Sequence, residues 1–235
     1  MYIVDDKIFI HVVKCGGSAI RSSLVKHRPK DIKFTQEHLS IMDIPSEFLN
    51  YETYAILREP LSWYRSFYRY AIQLHKPEEN KCFNLLAEQL VYDPVKPVSF
   101  EQFLRKALYL EDTITDKNIA LMLHKLQKVM PAKPNYFKLI FKDLTNVAFA
   151  RTLLTGTLYS FFIKSVGALE ADNIFILNED LEDLYGAFKL PTSNRKINKG
   201  KVKANTDISI DLYKELLSRE AYLYDKFNFK VNKWL

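Results

Sequence analysis

The chain has 235 residues, 48% of them hydrophobic, and carries 34 Lys and Arg against 28 Asp and Glu, a net charge of +6. That length suits one core-bearing domain, and no apolar run reaches the roughly 18–20 residues that a membrane span needs. Two cysteines make no disulfide framework, and the positive surplus, without a compact Lys/Arg run, favours a cleft for a small polyanion over a dedicated nucleic-acid surface.

The first element is the stretch IFIHVVKCGGSAIRSSL, Ile8 to Leu24. An apolar, β-branched run from Ile8 to Val13 reads as a strand. Lys14, Cys15, Gly16, Gly17 and Ser18 read as a turn, and the pattern then becomes helical through about Pro29. Glycines let the backbone fold tightly. The N–H groups of a helix's first turn point outward and favour an anion, and Lys14 adds a full positive charge. A strand, a glycine turn and a helix start with a lysine between them predict a phosphate or sulfate cradle. The first 20 residues carry Asp5 and Asp6 and lack a signal-peptide layout, so a cytoplasmic protein is expected.

Residues 34–50 read as a loop and a short helix. A second strand is expected over Thr53–Leu57, ending at Arg58, with Pro60 opening an aromatic helix through about His75. Residues 75–83 are polar and lysine-rich. Ser99 with Gln102 forms a capping-box pattern ahead of a helix to Leu110, and another helix is expected over Thr115–Val129. Tyr136–Phe141 reads as strand or irregular, Leu153–Leu169 as helix, Ile174–Leu177 as strand. Thr192–Thr206 is a basic polar loop, and one last helix is expected from Ser209 to Phe227. Short apolar runs separated by helices predict an α/β fold, a single P-loop-like domain with a central parallel β-sheet flanked by helices. Ligands bind such sheets at the carboxyl ends of the strands, where Lys14 and Arg58 both fall.

Two of these segments resemble the cofactor loops of sulfotransferases that use 3′-phosphoadenosine 5′-phosphosulfate (PAPS). HVVKCGGSAI reads against H-x-P-K-[ST]-G-G-T-S-[IL], with Lys14, Gly16, Gly17 and Ile20 matching and Ser18 keeping the hydroxyl. Val13, Cys15 and Ala19 depart from the pattern. ETYAILREPLSWYRSFYRY reads against a strand, Arg-[DN]-P and a helix with Ser eight residues after the Arg: Arg58, Pro60, Ser66 and Tyr68 fall on that spacing, with Glu59 for Asp or Asn. NIFILNEDLEDLYGAFKLP and LYKELLSREAYLYDKFNF resemble the family's late strand, Glu-Asp-Leu turn and terminal helix. The resemblance covers residues 8–70 and 150–230.

The resemblance implies a single sulfotransferase-like domain over 1–235, transferring a sulfuryl group from PAPS to a hydroxyl, most like enzymes acting on carbohydrates, and releasing adenosine 3′,5′-bisphosphate (PAP). It implies that Lys14, Cys15, Gly16, Gly17, Ser18 and Ala19 hold the 5′ end of the cofactor and that Arg58 and Ser66 hold the 3′-phosphate. Lys199, beside Gly200 in NRKINKGK, weakly resembles a late 3′-phosphate segment, and the solvated-loop reading stands ahead of it. His38 is the candidate base and Glu37 its competitor; a surface or cap histidine is the plain alternative. His11 matches the family's frequent histidine and reads as a packed structural residue. Residues 75–150 are unmatched and are assigned to acceptor recognition. The expected partner is a small-molecule or glycan acceptor, with no nucleic acid and no metal.

Three other readings stay open. Cys15 and Arg21, followed by Ser22, form C-x5-R, the phosphate loop of cysteine-dependent phosphatases, for which Asp93-Pro94 would supply the acid. A P-loop kinase needs its lysine after the glycines, whereas Lys14 precedes them. The third is a binding-only module with a degenerate site.

Overall fold

The computed structural model describes residues 1–35, 40–73, 90–91, 98–115, 155–177, 179–191 and 204–231. These fall into two compact units: residues 1–58 with 162–199, and residues 59–161 with 200–235.

The first unit is an α/β layer built on five strands: β1 (Tyr2–Val4), β2 (Lys7–Ile10), β3 (Ile32–Thr35), β4 (Glu52–Leu57) and β5 (Asn173–Ile176). The sheet order is β3-β1-β2-β4-β5. Strands β2, β4 and β5 run parallel, but β1 pairs antiparallel with both β2 and β3. The expected parallel sheet is therefore corrected to a mixed one. The cause is local. Asp5 takes a left-handed conformation, φ 53°, which short acidic side chains tolerate, and the two-residue loop Asp5–Asp6 folds β1 back on β2 with Val4 opposite Lys7.

Burial follows position in the sheet. Every residue of β1 is buried, as are Thr53–Leu57 of β4, so these strands are covered on both faces. Edge strand β3 alternates half-buried with exposed residues. Helix α1 (Gly17–His27) follows β2, and α6 (Leu181–Ala187) follows β5. Past α6, Phe188 sets its ring edge-on against Phe9 at 6.0 Å and Tyr54 at 5.2 Å. Arg28, beyond the end of α1, donates to Asp31 at 2.9 Å, to Asp5 at 2.8 Å and to the Phe188 carbonyl at 3.0 Å. At the amino end of the parallel strands, the Thr53 N–H and hydroxyl both donate to Asp172 at 2.8 Å.

The described residues of the second unit carry α2 (Pro60–Gln73), α3 (Phe100–Leu108), α4 (Leu110–Thr113), the start of α5 (Leu158–Ser165), α7 (Ile210–Arg219) and α8 (Ala221–Phe227). Trp63, Tyr64, Phe67, Tyr68 and Ala71 recur at helical spacing on α2 and are all buried. Trp63 stacks on Tyr159 at 4.5 Å, and Phe67 on Phe103 at 6.1 Å. The capping box expected at Ser99 is present: its hydroxyl accepts from Gln102 N, and the Gln102 side chain accepts from Ser99 N.

Helix boundaries moved where glycines or buried polar groups intervened. The expected helix 153–169 shortens to Leu158–Ser165 between Gly156 (φ 94°) and Gly167 (φ 65°). The expected last helix divides at Glu220, whose side chain is buried and accepts from Tyr64 Oη at 2.5 Å. The helix expected over 115–129 and the segment 136–141 lie outside the described residues, apart from Thr115. Among the described residues, no helix is long and apolar enough to cross a membrane.

Candidate functional site at the carboxyl edge of the sheet

Strand β2 ends at Ile10, three residues short of the expected end. The chain then makes a turn over residues 13–16 and enters α1 at Gly17. Cys15 N donates to the Val12 carbonyl at 3.3 Å, and Ala19 N donates to the Gly16 carbonyl at 2.8 Å. Gly16 is the N-cap of α1 with φ 85°, a conformation that costs an L side chain roughly 1–2 kcal/mol. Being glycine, it brings no side chain to satisfy the first-turn N–H groups. Lys14 is also left-handed, φ 62°. A non-glycine residue held there carries a small conformational cost, which tends to be kept where geometry serves a site.

The register explains why Arg58 meets this turn. Ile10 of β2 lies opposite Ala55 of β4. Three further residues along each parallel chain bring Val13 level with Arg58. The Arg58 guanidinium donates through Nη1 to the Lys14 carbonyl at 3.4 Å, a long contact. The third parallel strand reaches the same edge. Leu177 N donates to the Leu57 carbonyl at 2.8 Å, and a Cβ built on Gly16 would stand 2.9 Å from Leu177 Cδ1.

Charge is concentrated here. Lys14 and Arg58 are half-buried and Cys15 is buried. Burial first, then the positive charge of Arg58, holds the Lys14 ammonium below the usual lysine range, while the Cys15 thiol acts in the opposite sense. Two partly desolvated cations at one glycine turn make a place where an anion lowers the free energy of both. Two acids near Arg58 in the sequence, Glu52 and Glu59, have partners of their own. Glu52 accepts from Tyr54 Oη at 2.6 Å. Glu59 accepts from Leu61 N at 2.9 Å and Ser62 N at 2.6 Å, and also from Tyr224 Oη. Glu59 thus caps α2, a task that the shorter Asp or Asn also performs.

The structure brings together Lys14, Cys15, Gly16, Gly17, Ser18, Ala19 and Arg58 at the edge of the first unit. Ser18 is exposed and Ala19 half-buried on the first turn of α1. Ser66 stands half-buried on α2, in the second unit. His38, Glu37, Lys199 and Gly200 lie outside the described residues, as do Cys82 and Asp93-Pro94. Arg21 sits exposed on α1, in the first two turns of helix after Gly17. Sequence reasoning missed Leu177 as a wall of the turn; nothing in the chain tells that β5 lies beside β4. Among the described residues, no group of three or more His, Cys, Asp or Glu is placed to hold a metal.

No protein-family model matches the chain, and neither the curated proteins nor the solved structures include a significant match to it.

Proposed function

We propose that this protein is a sulfotransferase that moves the sulfuryl group of PAPS to a hydroxyl of an acceptor, of carbohydrate class, and that the α/β unit is its P-loop-like cofactor domain. The observation that carries the reading is the meeting of Lys14 and Arg58. Two half-buried cations leave the carboxyl ends of adjacent parallel strands and converge on one glycine turn. The sequence resemblance supplies the nucleotide.

In this reading the N–H groups at the start of α1 and the Lys14 ammonium face the 5′-phosphosulfate. Arg58 faces the 3′-phosphate, where its planar fork suits two oxygens at once. The acceptor oxygen attacks sulfur in line, the bond from sulfur to the bridging oxygen breaks, and the hydroxyl proton passes to a base. Lys14 stabilises the negative charge that develops on the bridging oxygen. His38 or Glu37 is the base, a role that imidazole and carboxylate chemistry both allow. As in phosphoryl transfer, the protein's work is mainly positioning and countercharge. Residues 75–150 recognise the acceptor.

The phosphatase reading is less well supported. Its loop needs five residues wrapped between cysteine and arginine, whereas residues 17–21 are helical and Cys15 is fully buried. A thermal-shift panel separates the readings. Selective stabilisation by PAP supports the sulfotransferase, by ATP a kinase, and by inorganic phosphate alone the phosphatase. PAP binding without transfer to any acceptor would leave a binding module.

A further inference from the structure

Gly16 and Gly17 are glycines for different reasons. Gly16 needs its positive φ. Gly17 takes an ordinary helical conformation, yet a Cβ on it would fall 1.9 Å from His11 Cδ2, 2.3 Å from Nε2 and 2.6 Å from Cγ. The imidazole occupies the volume where any side chain at 17 would begin.

We infer that His11 is a positioning residue: its ring locks against Gly17 and sets the conformation of the turn that carries Lys14. The ring is braced, because it ends an aromatic row that begins on the sheet and continues past the end of β2. His11 lies two residues from Phe9, just past the end of β2, and stacks on it at 6.4 Å with 20° between planes. Phe9 is held in turn by Tyr2 at 6.5 Å and Phe188 at 6.0 Å. His11 is 5% exposed and Gly17 is buried, so packing is tight on both sides. The row therefore transmits the rigid geometry of the sheet to the first residue of α1, three residues past Lys14. Its consequence for nucleotide binding rests on the function proposed above; the interlock itself does not.

The test reads the turn without any ligand. In a Cys82→Ser background, Cys15 is the sole thiol, and its reaction with a disulfide reagent reports opening of the turn. His11→Ala should speed labelling about tenfold or more, and His11→Phe, which keeps a flat ring, should restore slow labelling. Gly17→Ala should also speed it. The double variant His11→Ala with Gly17→Ala should label more slowly than either single one, because the new methyl fills the vacated ring volume. Labelling of the double variant at or above the faster single one overturns the inference. If His11→Ala does not fold, the contrast of His11→Phe with His11→Phe/Gly17→Ala decides: slow then fast supports the interlock, equal rates overturn it. PAP titration of the same proteins reports on the sulfotransferase reading separately.

Discussion

Arg58 donates to the carbonyl of Lys14 at 3.4 Å, so the cation leaving β4 touches the backbone of the turn that leaves β2. Parallel register thus brings the two charges to one edge of the sheet. Their roles in the proposed reaction differ, and substitution should separate them.

Lys14→Ala removes charge from the bond that breaks. It should lower turnover by about 10²–10³-fold, the loss typical of one preorganised donor, while PAP affinity falls much less. Arg58→Ala should do the reverse, weakening PAP about ten- to hundredfold, the worth of a charge-assisted hydrogen-bonded contact. Calorimetry and turnover on the two variants check this. Equal losses of binding and rate in Lys14→Ala would remove its catalytic role.

The depressed Lys14 ammonium gives a pH signature. Burial and Arg58 lower the Lys14 value in the free protein, and a bound bisphosphate raises it. At pH values between the two, binding therefore takes up protons; affinity is full below the free protein's lowered Lys14 value and falls as pH rises from there to the bound value. Titrations in two buffers of different ionisation enthalpy should show uptake that vanishes in Lys14→Met. The same shift, in the absence of ligand, makes the fold gain stability as pH rises through that window.

Cys15→Ser should leave most of the sulfuryl transfer rate, since serine is close in size and keeps the N–H bond to the Val12 carbonyl that closes the turn. A cysteine-dependent phosphatase would lose all turnover on p-nitrophenyl phosphate. Assaying both reactions on the one variant distinguishes them.

How much of this was legible beforehand depends on the range of the signal. Local signals read well. The glycine turn after β2, the strand ending at Arg58, Pro60 at the start of α2 and the Ser99–Gln102 box all stand where the residues placed them. Each depends on neighbours a few positions apart. Features set by distant packing did not read. Strand β1 has only three residues, too short for alternation to appear, and the hairpin that makes the sheet mixed turns on the φ of one aspartate. Glu220 reads as an ordinary helical residue, and the break between α7 and α8 falls where its side chain is buried against Tyr64. At the site, Lys14 and Arg58 were readable as ends of strands, but their adjacency is a matter of sheet order.

The Thr53–Asp172 link at the other end of the strands should govern acid stability. The Thr53 N–H, and then its hydroxyl, hold the Asp172 carboxyl below the usual carboxylate range. Stability from this pair is present above the unfolded carboxyl value and is lost as pH falls through the folded one. Asp172→Asn should flatten the acid limb of a plot of unfolding midpoint against pH. An unchanged slope would mean that the link contributes nothing.

The central claim is that Arg58 and the Lys14 turn address opposite ends of one nucleotide. Calorimetric titration of wild type and Arg58→Ala with PAP and with adenosine 5′-monophosphate, which lacks the 3′-phosphate, tests it most directly. The expected result is that wild type prefers PAP by about tenfold or more and that Arg58→Ala erases the preference while binding the monophosphate as before. A wild type with no preference, or a variant that loses both ligands equally, would contradict the account.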